Sequence, residues 1–581
     1  MRGFFTTLGT IWGLAFPYFR SEDRWAGRVL LGSVIAIELS LVAIDVLLNQ
    51  WNARFFNAIQ DHNWDAFVGE LLYFCVLAAI FIVLAVYQLY LNQWLQIRWR
   101  QWMTIRYLGH WLDHSNHYRM QLLGDAADNP DQRIAEDIRL FIERTMYIGV
   151  SVLSAIVSFV SFIVILWALS AQAPLHLFGA DWAIPGYLVW AALIYAVLGT
   201  VFTHLIGRQL IGLNFNQQRF EADFRFNLVR TRENSEQIAL LHGEPAEQIR
   251  LMDRFGSVVG NWLAIMTRTK RLTFLTAGYT QASVVFPYIV VSPAYFAGNI
   301  PLGVLTQTAS AFNSVQRALS VFITVYREFA EWRAVIERLS GFDKSIAVGA
   351  AAAVTPPVIR LVSAGKSPKL ALEALDVHLP TGMPLVGADD LAFGSGERVL
   401  VTGPSGSGKS TLFRAIGGIW PFGSGTVAIP EGARVMVLPQ RPYLPIGSLE
   451  AAIAYPAAPG SFDAGAMREV LQAVGLASLA PRLYEDAHWN RMLSLGEQQR
   501  LGLARAILHA PDYLFLDEAT ASLDEPAEAA LYRLLQQRLA NSSIVSIGHR
   551  STLRAFHRRH LTLTRDGERQ KVREVALEAA E

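Results

Sequence analysis

Nine consecutive residues, 403–411, read GPSGSGKST and have the spacing needed to hold a phosphate group. They fit the phosphate-binding pattern G-x-x-x-x-G-K-[ST]. The glycines let several backbone N–H groups converge on one anion, and the helix that follows turns its positive end toward it. Lys409 adds a charge for the outer phosphates, and the Ser410 hydroxyl can ligate Mg²⁺. The predicted nucleotide-binding residues are Gly403, Pro404, Ser405, Gly406, Ser407, Gly408, Lys409, Ser410 and Thr411.

A pair of carboxylates lies downstream of this loop. The apolar run 513–516 predicts a buried strand, and it ends directly in Asp517 and Glu518. A strand that delivers a carboxylate beside a phosphate loop can hold Mg²⁺, and a second carboxylate can polarise an attacking water. Two solvated loop residues are the alternative. The phosphate loop upstream favours the catalytic interpretation.

The elements that must position these residues are visible in the sequence. The run Val399-Leu400-Val401 predicts the strand before the loop, and residues 410–416 predict the helix after it. Residues 341–367 are rich in Ala, Val and Ser and contain Pro356-Pro357, so they are interpreted as a linker. A soluble α/β domain is predicted over residues 368–581.

The rest of the chain is far more apolar. The 581 residues are 52% hydrophobic and only 17% charged, and long apolar stretches fall before residue 327. Each stretch is long enough to cross a hydrocarbon core of about 30 Å at about 1.5 Å per residue. Glu38 and Asp45 make the first span marginal, and a polar face makes the sixth marginal. The predicted spans are 27–48, 68–93, 146–170, 183–206, 272–297 and 302–326.

Arginine distribution predicts the orientation of these spans. Arg and Lys concentrate before the first span, between the second and third, and between the fourth and fifth, which places both termini in the cytoplasm. Residues 1–24 are interpreted as an interfacial helix. Residues 25–340 are predicted to form the transmembrane domain, with long helical extensions into the cytoplasm. Segments 129–137 and 232–244 are interpreted as contacts to the soluble domain, with solvated turns as the alternative.

A further motif between the phosphate loop and the carboxylates carries a family resemblance. Residues 493–497 read LSLGE, which resembles the LSGGQ signature of ATP-binding cassette (ABC) transporters. Gln440, Asp524 and His549 match that family's Q-loop, D-loop and switch histidine. The resemblance implies an all-α six-helix transmembrane domain of the ABC exporter type joined to an α/β P-loop ATPase domain.

The resemblance also implies roles for individual residues. Gln440 and Asp517 would contact Mg²⁺ together with Ser410, Glu518 would act as general base, and His549 would contact the γ-phosphate of ATP. Ser494 and Gly496 would reach the nucleotide of a second subunit, with Asp524 near the same junction. Because the chain holds one cassette and one set of spans, it should act as a homodimer.

Three positions depart from the family pattern. Leu495 and Glu497 stand where the common signature has Gly and Gln. Leu379 aligns with the aromatic residue that often stacks on adenine, and an aliphatic side chain stacks less well. Hydrolysis is expected to survive because Ser494 and Gly496 are kept, whereas selectivity for adenine is in doubt.

Several motifs narrow the resemblance to one group of transporters. The segments LSLGEQQR, NPDQRI and RTRENSEQIALLHGE are similar to the SbmA/BacA-like permeases with a fused ATPase domain, the YddA-like group, and to the ABCD subfamily of peroxisomal fatty-acyl transporters. The first group implies hydrophilic cargo such as antimicrobial peptides or cobalamin, often taken up. The eukaryotic branch implies acyl-CoA.

Polar residues within the spans indicate a water-filled path. The candidates for a cavity are Glu38, Asp45, Gln281, Gln307 and Arg317, since such groups are costly in a bilayer unless they face water or partner helices. Hydrogen bonding between helices is the alternative.

The sequence thus predicts an ATP-hydrolysing homodimer in the bacterial inner membrane that contacts lipid and moves hydrophilic or peptide-like cargo. The alternatives are a lipid or acyl-CoA transporter, and an ATP-gated channel or sensor. A net charge of +1 gives no support for nucleic acid as a partner.

Overall fold

The computed structural model divides the chain into two compact units. The first contains residues 1–106 and 131–340, and the second contains residues 107–130 and 341–581. The structure describes residues 2–123, 129–172, 175–177, 180–182, 184–365, 367–567 and 569–575.

The first unit consists almost entirely of long helices, as its apolar runs predict. A π-helical turn, Arg133–Asp137, precedes α6, and a small antiparallel hairpin of β1 (Leu175–Leu177) and β2 (Ala180–Trp182) follows it. In chain order, the described helices up to residue 351 are α1 (Arg2–Ala15), α2 (Arg24–Gln60), α3 (Trp64–Leu112), α4 (Asn116–Leu122), α5 (Pro130–Gln132), α6 (Ile138–Gln172), α7 (Tyr187–Glu233), α8 (Ser235–Leu240), α9 (Glu244–Phe296) and α10 (Leu302–Ala351).

Within the described residues, five helices are long and apolar enough to cross a membrane. These five spans contain α2, α3, α6, α7 and α9. Helix α10 spans the predicted sixth segment without interruption, but buried polar residues such as Thr308, Ser314 and Gln316 lower its hydropathy. Helix α7 continues well past its apolar segment and α9 begins well before its own, so both have long helical extensions beyond the predicted spans.

A tight helix contact explains part of the packing of α10. The backbone N–H of Gly303 donates to Asn57 Oδ1 on α2 at 2.8 Å. A Cβ atom at Gly303 would lie only 2.0 Å from the carbonyl oxygen of Ala53, so only glycine lets the two helices approach this closely. A hydrophobic cluster that includes Phe162, Val291 and Phe312 holds α6, α9 and α10 together.

Two residues of the segment 129–137, which was interpreted as a contact to the soluble domain, are anchored in the first unit. Arg133 and Asp137 are buried within the first unit, and their side chains pair at 2.6 Å. Asp137 also accepts two hydrogen bonds from Arg338 on α10, at 2.9 and 2.5 Å. Arg133 and Asp137 therefore stabilise helix packing within the first unit. The short helix α4 belongs instead to the second unit, where Leu122 packs against the core of the sheet.

The second unit is an α/β domain built on one large sheet of eleven strands. Its strand order is β3-β8-β4-β5-β15-β14-β7-β13-β12-β9, with β6 paired to β4. The strands are β3 (Arg360–Ser363), β4 (Lys369–His378), β5 (Pro384–Ala388), β6 (Leu391–Gly394), β7 (Arg398–Thr402), β8 (Gly423–Ile429), β9 (Val435–Leu438), β12 (Tyr513–Asp517), β13 (Ser543–Ile547), β14 (Arg559–Asp566) and β15 (Arg569–Val575); β10 (Gly447–Ser448) and β11 (Asp486–Ala487) form a separate pair.

Helices cover the sheet and bury two hydrophobic clusters. The largest buried side chains there include Trp489, Phe413 and Phe515. The helices are α11 (Lys409–Ile416), α12 (Leu449–Ala454), α13 (Ala464–Ala473), α14 (Trp489–Met492), α15 (Leu495–His509) and α16 (Glu525–Arg538).

The segment 341–367, interpreted as a linker, contains regular secondary structure. Helix α10 runs on to Ala351, and β3 at 360–363 pairs in parallel with β8 of the sheet. Between residues 341 and 363, only the stretch 352–359 lies outside a helix or strand. The composition misled because Ala and Val suit a helix and a strand as well as a connection.

Candidate nucleotide-binding and hydrolysis site

Four neighbouring parallel strands bring the predicted site residues to one edge of the sheet. Strands β7, β13, β12 and β9 pair in parallel in that order. The phosphate loop follows β7, the pair Asp517–Glu518 ends β12, and Gln440 and His549 follow β9 and β13. The carboxyl ends of parallel strands meet at one edge, which is where open α/β sheets bind ligands.

The phosphate loop adopts backbone conformations that require glycine. Gly406 and Gly408 have φ of 75° and 89°, in the left-handed region that other residues rarely occupy. A Cβ on Gly408 would lie 2.5 Å from Val386 Cγ2. The loop therefore curls tightly before α11 begins at Lys409.

Lys409 and Ser410 are held at the start of α11. The Lys409 ammonium donates to the carbonyl oxygens of Gly403 and Pro404 at 2.9 and 2.8 Å. Its side chain is largely buried, and that burial lowers the Lys409 pKa while the carboxylates of Glu518 and Asp517 oppose the shift. The Ser410 hydroxyl donates to Asp517 Oδ1 at 2.8 Å.

Asp517 is placed to receive a positive charge. Burial raises its pKa, and the hydrogen bond from Ser410 only partly offsets this effect. A cation beside a buried carboxylate favours the ionised form. The Ser410 hydroxyl and the Asp517 carboxylate are hard oxygen ligands of the kind Mg²⁺ prefers.

Glu518 lies where two other predicted residues meet. Its Oε2 accepts a hydrogen bond from Gln440 Nε2 at 3.1 Å, and its Oε1 lies 3.2 Å from His549 Nε2. Glu518 itself has a φ of 51°, an uncommon conformation for a residue with a Cβ. The structure thus gathers Gln440, Glu518 and His549, three residues more than thirty positions apart in the chain.

Gln499, which the sequence analysis did not single out, connects three of the motifs. Its Nε2 donates to the carbonyl oxygen of Gln440 at 3.0 Å, and its Oε1 accepts from the backbone N–H of Ser522 at 3.0 Å. Only 1% of Gln499 is exposed. The available signal was that Leu495 and Leu503 lie four residues before and after Gln499, on the same face of the helix, because an amide buried on such a face must find partners.

The signature residues cap a helix. Ser494 precedes α15 and forms a capping box with Glu497: the Glu497 N–H donates to Ser494 Oγ at 3.3 Å, and the Ser494 N–H donates to Glu497 Oε2 at 2.8 Å. The Ser494 hydroxyl also donates to Glu497 Oε2 at 2.8 Å. A Cβ on Gly496 would come within 3.3 Å of Leu523. The substitution of Glu for Gln in the signature therefore gives the serine a charged partner.

Asp524 and Leu379 occupy local structural positions. Asp524 Oδ1 caps α16 by accepting from the Ala527 N–H at 2.9 Å. Leu379 lies in the turn after β4, where its N–H donates to the Met383 carbonyl oxygen at 2.8 Å, and its side chain packs partly against the core. Part of this apolar side chain therefore stays in the domain instead of projecting freely.

The residues present fit a nucleotide with its metal ion. Ser407 Oγ is buried inside the loop and has no hydrogen-bond partner among the described residues, so the loop contains an unsatisfied polar group that a phosphate oxygen could satisfy. The loop glycines leave the backbone open where side chains would clash. Lys409 offers positive charge and Asp517 with Ser410 offers oxygen ligands.

The predicted cavity residues of the membrane helices fall into two groups, those whose side chains bond to a neighbouring helix and those whose side chains are exposed. Glu38 is buried and accepts a hydrogen bond from Gln88 on α3, and Gln307 donates to Asn49 Oδ1 on α2 at 3.2 Å. For these two residues the alternative, hydrogen bonding between helices, describes the structure. Asp45, Gln281 and Arg317 are exposed on the chain.

The comparisons with known proteins agree with this architecture. Residues 14–296 match the family described as ABC transporter transmembrane region 2, and residues 387–521 match the family described as ABC transporter. The fold also resembles a solved bacterial Atm1-family ABC exporter with ATP bound, at 16% identity and a TM-score of 0.69 over 94% of both chains. The chain belongs to the ABC transporters: it is a membrane-spanning transporter with a fused ATPase domain, and ATP hydrolysis drives its transport.

The relatives are proteins of the group that the motifs indicate. The chain is 34% identical to the inner membrane ABC transporter ATP-binding protein YddA of Escherichia coli, over 92% of this chain and 93% of that protein. It is 32% identical to ABC transporter D family member 2, chloroplastic, of Arabidopsis thaliana, over 96% and 86%. It is 25% identical to the human lysosomal cobalamin transporter ABCD4, over 80% and 79%.

Proposed function

We propose that this protein is a homodimeric transporter of the bacterial inner membrane that takes up hydrophilic or peptide-like solutes. The meeting of Glu518 with Gln440 and His549 beside the phosphate loop carries the hydrolytic part of the proposal. The similarity to YddA, which is named as an inner membrane protein, supports the location. Both termini lie in the cytoplasm, where ATP is available.

Each residue of the site has a separate task in hydrolysis. Lys409 and the loop N–H groups bind the phosphates, while Ser410, Asp517 and Gln440 would hold Mg²⁺, which would supply positive charge beside the phosphates. Glu518 accepts a proton from the attacking water, and its contacts to Gln440 and His549 hold its two oxygens in place. Gln499 fixes the backbone of Gln440 relative to Ser522, near the partner-facing Asp524.

A second copy of the chain completes the site. Ser494 and Gly496 lie at the amino end of α15, where helix N–H groups favour an anion, and they face the nucleotide of the other subunit. Helix α8 supports a dimer as well, because none of its residues is buried and Leu240 and Leu241 are 73% and 81% exposed. Exposed leucines at the tip of a helical hairpin need a partner surface.

Asp45 and Arg317 support a hydrophilic cargo. They lie on α2 and α10, within apolar segments, and both side chains are exposed. Exposed charges at this level are costly in lipid and are tolerated beside water. The named activity of human ABCD4, cobalamin transport, is consistent with a large polar solute.

The experiment is a transport assay on purified protein in proteoliposomes. Arginine-rich peptide, cobalamin and palmitoyl-CoA are tested separately for stimulation of ATPase activity and for ATP-dependent accumulation against a gradient. We expect stimulation and accumulation with peptide or cobalamin. Stimulation by palmitoyl-CoA alone would favour the acyl-CoA alternative, and movement only down a gradient would favour a channel.

A further inference from the structure

A basic pocket lies between α7 and α9 of the first unit. It has a volume of about 450 Å³. Its lining residues are Arg208, Gln209, Gly212, Leu213, Asn216, Ala264 and Arg268. Two guanidinium groups, two amides and no carboxylate line the pocket, which therefore has the chemistry of an anion site.

The two arginine side chains of the pocket are not paired with other described residues of the protein. Arg208 is exposed and Arg268 is half-buried, and among the residues that the structure describes neither forms an ion pair or a hydrogen bond. Both guanidinium groups are therefore available to bind an anion that enters the pocket. Nearby, Asn261 is already engaged with Leu213 and Gln217, so the neighbouring polar groups are satisfied while the arginines are not.

The apolar segments of both helices place this pocket at the cytoplasmic boundary of the membrane. Arg208 comes directly after the apolar run that ends near residue 206, and Arg268 comes just before the run that begins at 272. A charged pocket at the end of two apolar segments lies at headgroup level. The anion that reaches it from the bilayer is a lipid phosphate.

An exposed apolar stripe continues from the pocket along α7. Ile194, Leu198, Val201 and Leu205 are each between 48% and 60% exposed, and they repeat every three or four residues up to Arg208. This spacing puts them on one face of the helix. From 194 to 205 the stripe is about 16 Å long at 1.5 Å per residue, close to half of a hydrocarbon core of about 30 Å.

We propose that this pocket and stripe bind an amphiphile with an anionic phosphate head and an acyl chain. Arg208 and Arg268 hold the phosphate, and Leu205, Val201 and Leu198 contact the chain. The shared chemistry is a phosphate ester on an acyl chain, and an anionic membrane phospholipid is the source that the bilayer supplies. The site is separate from Asp45 and Arg317 and does not depend on the identity of the cargo.

The test measures retained lipid by native mass spectrometry. The homogeneous full-length protein is incubated with equal amounts of phosphatidylglycerol and phosphatidylcholine, and the ratio of retained lipids is compared between variants. We expect the unmodified protein to retain phosphatidylglycerol about tenfold better, since each arginine near an anionic surface contributes a factor of several. Arg208→Gln with Arg268→Gln should bring the ratio near one.

Two controls make the result specific. Arg225→Gln removes an exposed arginine from the same helix about 25 Å further along and should leave the preference unchanged. Arg208→Lys with Arg268→Lys should restore part of it. Equal retention of both lipids by the unmodified protein, or an unchanged preference in the glutamine variant, would overturn the proposal.

A competition arm separates the two sources of phosphate. Palmitoyl-CoA is added in excess to the phosphatidylglycerol-loaded protein. If the amount of retained phosphatidylglycerol does not fall, the site is assigned to the membrane lipid. Displacement that depends on Arg208 and Arg268 assigns the same phosphate site to an acylated solute, and displacement that persists in the glutamine variant counts against the pocket.

Discussion

The nucleotide site and the polar groups of the membrane helices were predicted from the same kind of evidence, yet the structure treats them differently. In the ATPase domain, four strand ends gather Gln440, Asp517 and Glu518, with the phosphate loop beside them. In the membrane unit, Glu38 and Gln307 pair with neighbouring helices, and only some polar residues stay available. A motif in a sheet fixes backbone geometry, whereas a polar residue in a helix can be satisfied by whichever helix packs against it.

The largest expected effect is at the nucleotide site. Glu518→Gln keeps the shape of the side chain but removes the base, so the rate of ATP hydrolysis should fall by about a hundredfold or more. ATP binding should persist because Lys409 and the loop are unchanged. Single-turnover hydrolysis and nucleotide binding, measured together on purified protein, separate the two effects.

Glu469→Gln serves as the matched control. Glu469 is exposed, and its partner Arg538 lies elsewhere on the domain surface. This variant should hydrolyse ATP at the normal rate. A Glu518→Gln protein with near-normal turnover would remove Glu518 as the base.

The next effect tests the membrane side of the comparison. Asp45→Asn should reduce cargo transport roughly tenfold, the consequence of losing about 1.4 kcal/mol of electrostatic attraction, while basal ATPase activity stays the same. Glu38→Gln keeps a hydrogen-bonding group beside Gln88 and should affect transport much less. The measurement is cargo uptake into proteoliposomes. An equal loss of uptake in the two variants would contradict the separate roles given to Asp45 and Glu38.

Gln499 tests whether buried hydrogen bonds hold the nucleotide site together. Gln499→Ala leaves the Ser522 N–H and the Gln440 carbonyl without a partner, which should lower the free energy of unfolding of the ATPase domain by about 1–3 kcal/mol. Denaturant titration of the protein and its ATPase rate give the result. Gln537→Ala, at an exposed position of α16, is the control, and a Gln499→Ala protein as stable as that control would contradict this role.

The smallest expected effect concerns the nucleobase. Leu379→Tyr should tighten ATP binding about two- to tenfold, because aromatic stacking contributes about 0.5–1.5 kcal/mol beyond area burial. Leu379→Ile keeps an aliphatic side chain and should bind ATP normally. Titration with a fluorescent ATP analogue measures the change, and an unaltered affinity for the tyrosine variant would show that the turn after β4 does not reach the base.

The sequence determined the chemistry of this protein and the class to which it belongs. The phosphate loop, the pair Asp517–Glu518 and the signature at 493–497 lie at spacings that predict a P-loop ATPase, and apolar run lengths predict long membrane helices. These features are local: a loop of nine residues or a helical run is encoded by residues that are neighbours in the chain. The family assignment follows from them.

The tertiary structure decided which polar residues are partners. It paired Asp137 with Arg133 and Arg338, inserted Gln499 between the motifs, and left Arg208 and Arg268 unpaired in a pocket. It also replaced most of the predicted linker by the end of α10 and by β3. Such contacts join residues far apart in sequence, so their formation depends on how helices and strands pack, and neither composition nor periodicity records that packing.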